Sequence, residues 1–502
     1  MPSLSRRRFL YGLAASPLLL HLPSLNAQAA PLIRYDASSA AGQAMLRILA
    51  GAVAQMQARP ADDPLSWTWQ WYTHFVDGTT TKADEIARIF GGVASPRSVL
   101  AEEVWNTCQS HAGQNPNHFL PWHRLFVQFF EQIVRTVSGR PDFTLPYWNY
   151  TSYEPTKRGI VPHRFRQPTD ATFSVLYRAD RTTLANTGQP IHRDQPGDAM
   201  DISLPMSKAN YSSAGSVMGF CRTIDSGIHS RIHVLVGNSL NMGSVPYAGR
   251  DPLFWVHHAN VDRMWASWNR NGGVNPSTAT WAQTEFVFAD GNGDRVVCKL
   301  VDCFDIATLG YTYDKFLTPT GTEVAATAAT MSAATAAAEG IRAGTPVRVA
   351  AARAAAELGG AGPVRVALLP EAGARRTQVL GLDPVAPEKR TYLVLKNLHT
   401  WAQPEVLYHL YLTPGRGGAA GPATYVGNIN FFDAEFHDHG HGSPLDEALG
   451  ENFYSFDVTE LLRKFARAGG TAARDSLTLT IVPGGRPKGG QPIVATIELV
   501  QQ

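Results

Sequence analysis

In residues 119 to 137 the apolar positions Leu125, Phe126, Phe129, Phe130, Ile133 and Val137 recur every three or four residues, the period of a helix with one buried face. Residues 223 to 236 and 254 to 268 repeat that period, and the long stretches between them are rich in Pro, Asn, Asp and Gly. The pattern predicts a mainly helical region held by irregular loops. Around 286 to 301 it changes to short β-like runs, and Leu309-Gly310-Tyr311-Thr312-Tyr313-Asp314 closes the region. Residues 319 to 363 are dominated by Ala, with Thr, Gly and Arg and almost no aromatics; this texture predicts a flexible or partly helical linker. Beyond it, residues 391–396, 406–412, 425–432, 476–482 and 493–500 are β-branched or aromatic runs separated by Gly and Pro turns, as in an antiparallel β-sandwich.

The first residues follow a different logic. Ser5-Arg6-Arg7-Arg8-Phe9-Leu10 leads into an apolar run to Leu25 and then into Ala27-Gln28-Ala29, which has the small-x-small form of a cleavage site. The paired arginines before Phe and Leu look like a twin-arginine signal, used in bacteria to export folded proteins. The expected organisation is therefore a signal peptide over 1–29 cut after Ala29, a helical domain over 30–318, a linker over 319–364 and a sandwich over 365–502. The fold class is α+β multidomain. An exported chain, periplasmic or secreted, is expected, with no membrane attachment once the signal is gone.

Composition adds exclusions. The net charge is +2 with scattered Lys and Arg, so neither a nucleic-acid footprint nor a polybasic membrane patch is suggested. Four cysteines in 502 residues are too few for a disulfide scaffold, although Cys298 and Cys303 are near enough in sequence for a local bridge.

The sixteen histidines carry the chemistry. His229 and His233 are spaced i, i+4, which puts both rings on one helix face. His257 and His258 lie on a further helix, with Asp262 four residues after His258, placed to receive a hydrogen bond or to orient that helix. Upstream, His123 lies on a helix, His111 on the loop before it, and His74 at the end of the aromatic run WTWQWYTH. A set of imidazoles fits copper, zinc, iron or nickel. Six neutral ligands leave two divalent ions in need of an anionic bridge, which points toward oxygen chemistry.

Two long segments, DPLFWVHHANVD (251–262) and FLPWHRLFVQFFE (119–131), resemble the copper B and copper A signatures of the tyrosinase, catechol oxidase and haemocyanin superfamily of type 3 copper proteins. LPYWNY and VGNSLNMGSVPYAGR are similar to segments of bacterial tyrosinases, and the resemblance spans about residues 60 to 318. It implies two copper ions, one on His74, His111 and His123, the other on His229, His233 and His258, leaving His257 as a packing or substrate-side residue. It also implies dioxygen as co-substrate, a small phenol or o-diphenol oxidised to an o-quinone, and an accessory protein delivering copper. An o-aminophenol oxidase and a haemocyanin-like oxygen binder are the alternatives.

The chain departs from the family pattern in places. His111 and His123 are separated by twelve residues where the family has nine, implying an enlarged loop. Cys108, three residues before His111, stands where a thioether to that histidine or a buried thiol would fit. Ser230 follows His229 where hydroxylating members carry Asn, and Asp225 takes the place of an upstream Glu. A carboxylate within reach of the phenol can still take its proton, so Asp225 and Ser230 are the candidate catalytic residues, and diphenol oxidation is more firmly implied than monophenol hydroxylation. The C-terminal region resembles the extra domain that keeps long polyphenol oxidases latent. In it, TYVGNINFFD offers Phe431 or Phe432 as a plug, and His437, His439 and His441 form a solvated loop or a copper-loading site.

Overall fold

The computed structural model describes residues 31–74, 82–108, 117–326, 345–374, 389–415, 420–435, 453–467 and 477–502. Residues 1–29, expected to form a signal peptide, His111 and the histidines at 437, 439 and 441 lie outside these residues.

The first unit is built on helices α1 (Ala40–Gln57), α2 (Trp67–Tyr72), α3 (Lys82–Phe90), α4 (Pro96–Thr107), α5 (Phe119–Ser138), α6 (Ser230–Val236) and α7 (Pro252–Arg270). Their limits are written locally. Asp251 caps α7 by accepting from the Leu253 amide at 2.9 Å, with Pro252 in the first turn, where a missing N–H costs nothing. Gly139 ends α5 at φ 64°, a left-handed position that favours glycine. α5 and α7 pack through their aromatic faces, with the Phe130 and Trp255 rings stacked at 3.7 Å.

The predicted helix over 223–236 is interrupted. Residues Ile224–His229 form a wide π-type turn with a kink at Gly227 (φ −87°, ψ −109°), and α6 begins only at Ser230. Such wide turns recur at functional sites because they re-aim side chains.

Short strands tie the unit together: β1 (Leu32–Arg34) runs parallel to β4 (Tyr311–Tyr313), β2 (Glu285–Ala289) pairs β3 (Arg295–Lys299), and β5 (Lys315–Leu317) pairs β6 (Glu323–Ala325). The β5–β6 hairpin therefore extends the first unit past residue 318. No disulfide joins Cys298 to Cys303, although their closeness in sequence would allow one. Both are thiols; Cys298 lies in β3, and the Cys303 thiol donates to the Leu300 carbonyl at 3.0 Å in the following turn.

The second unit is an antiparallel sheet of β7 (Val347–Ala351), β8 (Ala356–Glu357), β9 (Val364–Pro370), β10 (Thr391–His399), β11 (Tyr408–Pro414), β12 (Tyr425–Ile429), β13 (Phe453–Asp457), β14 (Leu477–Pro483) and β15 (Ile493–Gln501), with α8 (Thr459–Arg467). The order is β12-β11-β14-β9-β7-β15-β10-β13, with β8 beside β15. β7 and β9 pair at only two positions, Ala350 with Pro370 and Ala351 with Leu369, so the sheet bends there into two leaves. Leu393, Leu395, Leu410, Leu479, Ile481 and Leu499 fill the space between them. The sheet thus begins at Val347, inside the stretch whose composition suggested a linker; Val349 and Ala350 are small enough to be buried there, at 1% and 0% exposure.

Candidate metal centre

Three separate pieces of chain deliver imidazoles to one interior point. α5 carries His123, the π-type turn and α6 carry His229 and His233, and α7 carries His257 and His258. His74 follows α2 and meets His123 with the two Nε2 atoms 3.4 Å apart. The His123 and His258 rings stack at 4.3 Å, bridging the upstream and downstream groups. Ligand atoms of His229, His233, His257 and His258 all lie within 4.8 Å of one another.

Main-chain carbonyls aim several of these rings. Nδ1 of His123 lies 2.9 Å from Phe119 O, that of His229 3.1 Å from Asp225 O, and that of His233 2.7 Å from Met242 O. Fixing Nδ1 in this way turns Nε2 toward an ion. The Met242 contact depends on a tight return of the chain after α6: a Cβ on Gly237 would lie 2.2 Å from the Gly243 nitrogen. Burial first, and then the neighbouring imidazoles, push the pKa values of His123, His233 and His258 well below the usual histidine value. Neutral rings are the form that binds metals.

Among the described residues Asp262 is not hydrogen-bonded to a histidine. It joins α7 to α5 through Arg124, the neighbour of His123, and to β1 through Arg34 at 3.1 Å, and it accepts from the Tyr311 hydroxyl at 2.6 Å. Burial alone would raise its pKa, but the Arg124 and Arg34 guanidiniums and the tyrosine hydroxyls outweigh burial and hold it below the usual carboxylate value. Arg34 also pairs with Glu131 on α5 at 2.8 Å. This ionic network was not read from the sequence, although Arg124 and Asp262 sit within the two signatures.

Asp225 is fully buried, its Oδ1 3.3 Å from His229 Nδ1 and its Oδ2 3.6 Å from Arg222. Ser230 donates its hydroxyl to the Asp225 carbonyl at 2.7 Å. Cys108 points its thiol at the His74 carbonyl, 2.6 Å away; His111, its partner in the thioether alternative, lies outside the described residues.

The sheet unit reaches the same place. The chain leaves β12 at Ile429 and turns, the Asn430 Oδ1 accepting from the Phe432 amide at 3.1 Å and Gln403 donating to the Phe431 and Phe432 carbonyls at 3.0 and 3.1 Å. This separates the two aromatics. Phe431 packs on Tyr408 in the sandwich, whereas Phe432 stacks on His233 with ring centroids 4.2 Å apart and an 11° interplanar angle. Asn430 donates to Ser226 O at 3.2 Å and Arg222 reaches Asp433 at 3.2 Å.

The donor set fits metal. His233 Nε2 and both nitrogens of His257 and His258 are buried without a hydrogen bond among the described residues. Each such orphan costs about 1–3 kcal/mol, a cost that coordination removes. Buried imidazoles from two halves of a helical unit, with no thiolate among them, define a class: a paired all-histidine metal centre of the kind that suits copper.

Comparison with known proteins narrows that class. The model of the common central domain of tyrosinase matches residues 64–201 and 164–271, and that of the polyphenol oxidase middle domain matches 277–320. The chain is 32% identical to tyrosinase HcTyr1 of Hahella sp. (strain CCB-MM4) over 286 residues, 52% of this chain and 59% of that protein. It is 30% identical to the chloroplastic catechol oxidase B of Solanum tuberosum over 232 residues, 40% of this chain and 38% of that one. The matches thus span less than two thirds of these relatives' length. The solved structure of latent apple tyrosinase superposes with a TM-score of 0.58 at 21% identity, over 95% of this chain and 98% of that one, and shows the two-unit fold. Residues 64–320 place the chain in the tyrosinase and polyphenol oxidase family, a family of type 3 dicopper proteins. Among the described residues no helix is long and apolar enough to cross a membrane.

Proposed function

We propose that this protein is a type 3 dicopper oxidase that converts o-diphenols, and less readily monophenols, to o-quinones with dioxygen, and that it is latent while its sheet unit is docked. The observation that carries the reading is the convergence of buried imidazoles with Phe432 stacked on His233. His74, His111 and His123 would hold one copper and His229, His233 and His258 the other. Copper supplies the dioxygen binding and electron transfer that no side chain here can provide.

The chain's own contribution is orientation, exclusion of water and proton handling. Phe119 and Phe254 wall the centre, their rings 4.5 Å from His229 and 4.1 Å from His258, so a phenol ring entering there meets apolar faces. Asp225 is the proton acceptor within reach of that space. Ser230 spends its hydroxyl proton on the Asp225 carbonyl and so orients a bridging water poorly. The harder proton, that of a monophenol, is served less well than that of a diphenol.

Phe432 occupies the face of His233 that a flat phenol would use. Release of the sheet unit would open it. The test is oxygen uptake on tyrosine and on dopa, with copper content, before and after cleavage between residues 327 and 344. Two coppers per chain, dopa faster than tyrosine, and a rise on cleavage are expected. Rapid tyrosine hydroxylation would overturn the assignment of Ser230, and unchanged dopa oxidation after cleavage would overturn latency.

A further inference from the structure

The Arg222 guanidinium faces carboxylates from both units. Arg222 lies on the short helix Phe220–Thr223, Asp225 three residues on in the π-type turn, and Asp433 on the loop after β12; all three side chains are 1% exposed. Arg222 Nη1 is 3.2 Å from Asp433 Oδ2 and 3.6 Å from Asp225 Oδ2, and its Nε donates to the Phe453 carbonyl of β13 at 3.4 Å. In the docked molecule its closer ion pair is thus with the sheet unit.

That leaves the Asp225 side chain poorly held. Neither of its oxygens has a hydrogen bond among the described residues. His229 Nδ1 is nearer the Asp225 main-chain carbonyl, at 3.1 Å, than Oδ1, at 3.3 Å, and the Ser230 hydroxyl also bonds that carbonyl. A proton acceptor works only when its oxygen is aimed at the proton it takes, and a guanidinium at charge-assisted hydrogen-bond distance, about 2.7–2.9 Å, would aim this one. Arg222 and Asp225 are neighbours at i, i+3 on one stretch of chain, so they stay together when the sheet unit leaves. Asp433 and the Phe453 carbonyl leave with it. The competition shows in Asp433 itself: burial raises its pKa, Arg222 lowers it and Asp225 raises it again, with a net rise, so one cation does not balance both acids.

We infer that Arg222 is a positioning residue for Asp225, and that the docked sheet unit draws it away through Asp433. The inference rests on the reading of Asp225 as the proton acceptor of a dicopper oxidase. Docking then acts twice: Phe432 covers a ring face, and Asp433 leaves the acceptor unaimed.

The test uses the full chain with Phe432→Ala as background, so that the covered ring is exposed in every arm; circular dichroism checks folding. Adding Asp433→Asn keeps the loop's shape and returns Arg222 to Asp225. The kcat for dopa is expected to rise about tenfold, a fraction of the 10²–10⁴ that a positioned base contributes, with KM little changed. Arg222→Gln breaks the same contact between the units but is expected to lower kcat, and in the Asp433→Asn chain to cancel the gain, while Arg222→Lys keeps part of it. A contact that only fastens the units predicts the opposite, a rise with Arg222→Gln as with Asp433→Asn. That result overturns the inference. So does an Asp433→Asn chain with unchanged kcat, the arm that decides the matter should the Arg222 variants fail to fold. A readout without copper stands beside these. In the metal-free chain the melting-temperature coupling between Arg222→Gln and Asp225→Asn is expected to grow once Asp433→Asn is present, and an unchanged coupling overturns the inference. A cut parent chain that binds fewer than two coppers or leaves dopa unoxidised overturns the dicopper reading instead, and the melting cycle still decides whether Arg222 holds Asp225.

Discussion

The helical unit and the sheet unit are both well packed, yet they bury opposite kinds of surface. Between the leaves of the sheet the core is mainly aliphatic, with Leu393, Leu395, Leu479 and Leu499 all fully buried. Around the centre the helical unit buries Arg34, Arg124, Glu131 and Asp262, each at 1 to 3% exposure or less, together with the imidazoles. An aliphatic core needs only correct volume. A metal centre needs each ring aimed, and ionic and hydrogen-bonding partners with fixed geometry supply the aim. Among the described residues the sheet unit meets the site chiefly through a loop, Asn430 to Asp433, that its leaves hold out to the helices.

The most severe way to break this division is Asp262→Ala. It leaves the Arg124 guanidinium in the interior without its carboxylate, while Arg34 keeps Glu131, and about 3–5 kcal/mol should be lost, as for other broken buried pairs. A large fall in melting temperature should be accompanied by copper loss, because the same carboxylate joins the helix of His258 to that of His123. The pH dependence has a definite sign. A carboxyl whose folded pKa lies below its unfolded value contributes stability above the unfolded value, about 3.9. That contribution is lost as pH falls through the folded value, so the acid-side melting profile of Asp262→Asn should be flatter than the parent's.

A comparable truncation in the sheet, Leu395→Ala, should cost about 2–5 kcal/mol in the unfolding of that unit while copper content stays at the parent's level. Equal copper loss in both variants would show that the division drawn here is wrong. The smallest effect is expected from Phe432→Ala. An aromatic pair contributes about 0.5–1.5 kcal/mol beyond its buried area, so its removal should raise dopa oxidation by the uncut chain up to about tenfold with little change in melting temperature. A variant as inactive as the parent, yet activated by cleavage, would move the block away from Phe432.

Much of the fold was legible because periodicity and turn residues are local. The helix over 119–137 and the strand near 493–500 follow from patterns of 3.6 and 2. The Ala-rich stretch misled because small residues suit a linker and a closely packed strand equally, and only the neighbouring strands β9 and β15 decide for Val347–Ala351. The closeness of Cys298 and Cys303 allowed a bridge without requiring one, because sequence proximity says nothing of the element on which each thiol lies. The kink at Gly227 and the stacking of Phe432 rather than Phe431 on His233 were likewise invisible, since both depend on contacts across more than a hundred residues.

The sequence by itself determined the kind of chemistry: histidines at helical spacing in two long signatures, an acid four residues beyond one of them, and a β-rich region after an Ala-rich stretch. Only the tertiary structure decided how these meet. Of the two roles open to Asp262 it selected the one that orients the helix, as the pivot between two arginines, and it separated Phe431 from Phe432. The physical reason is that ligand identity depends on residue type, which is local, whereas aim, burial and charge balance depend on whatever the rest of the chain packs around each group.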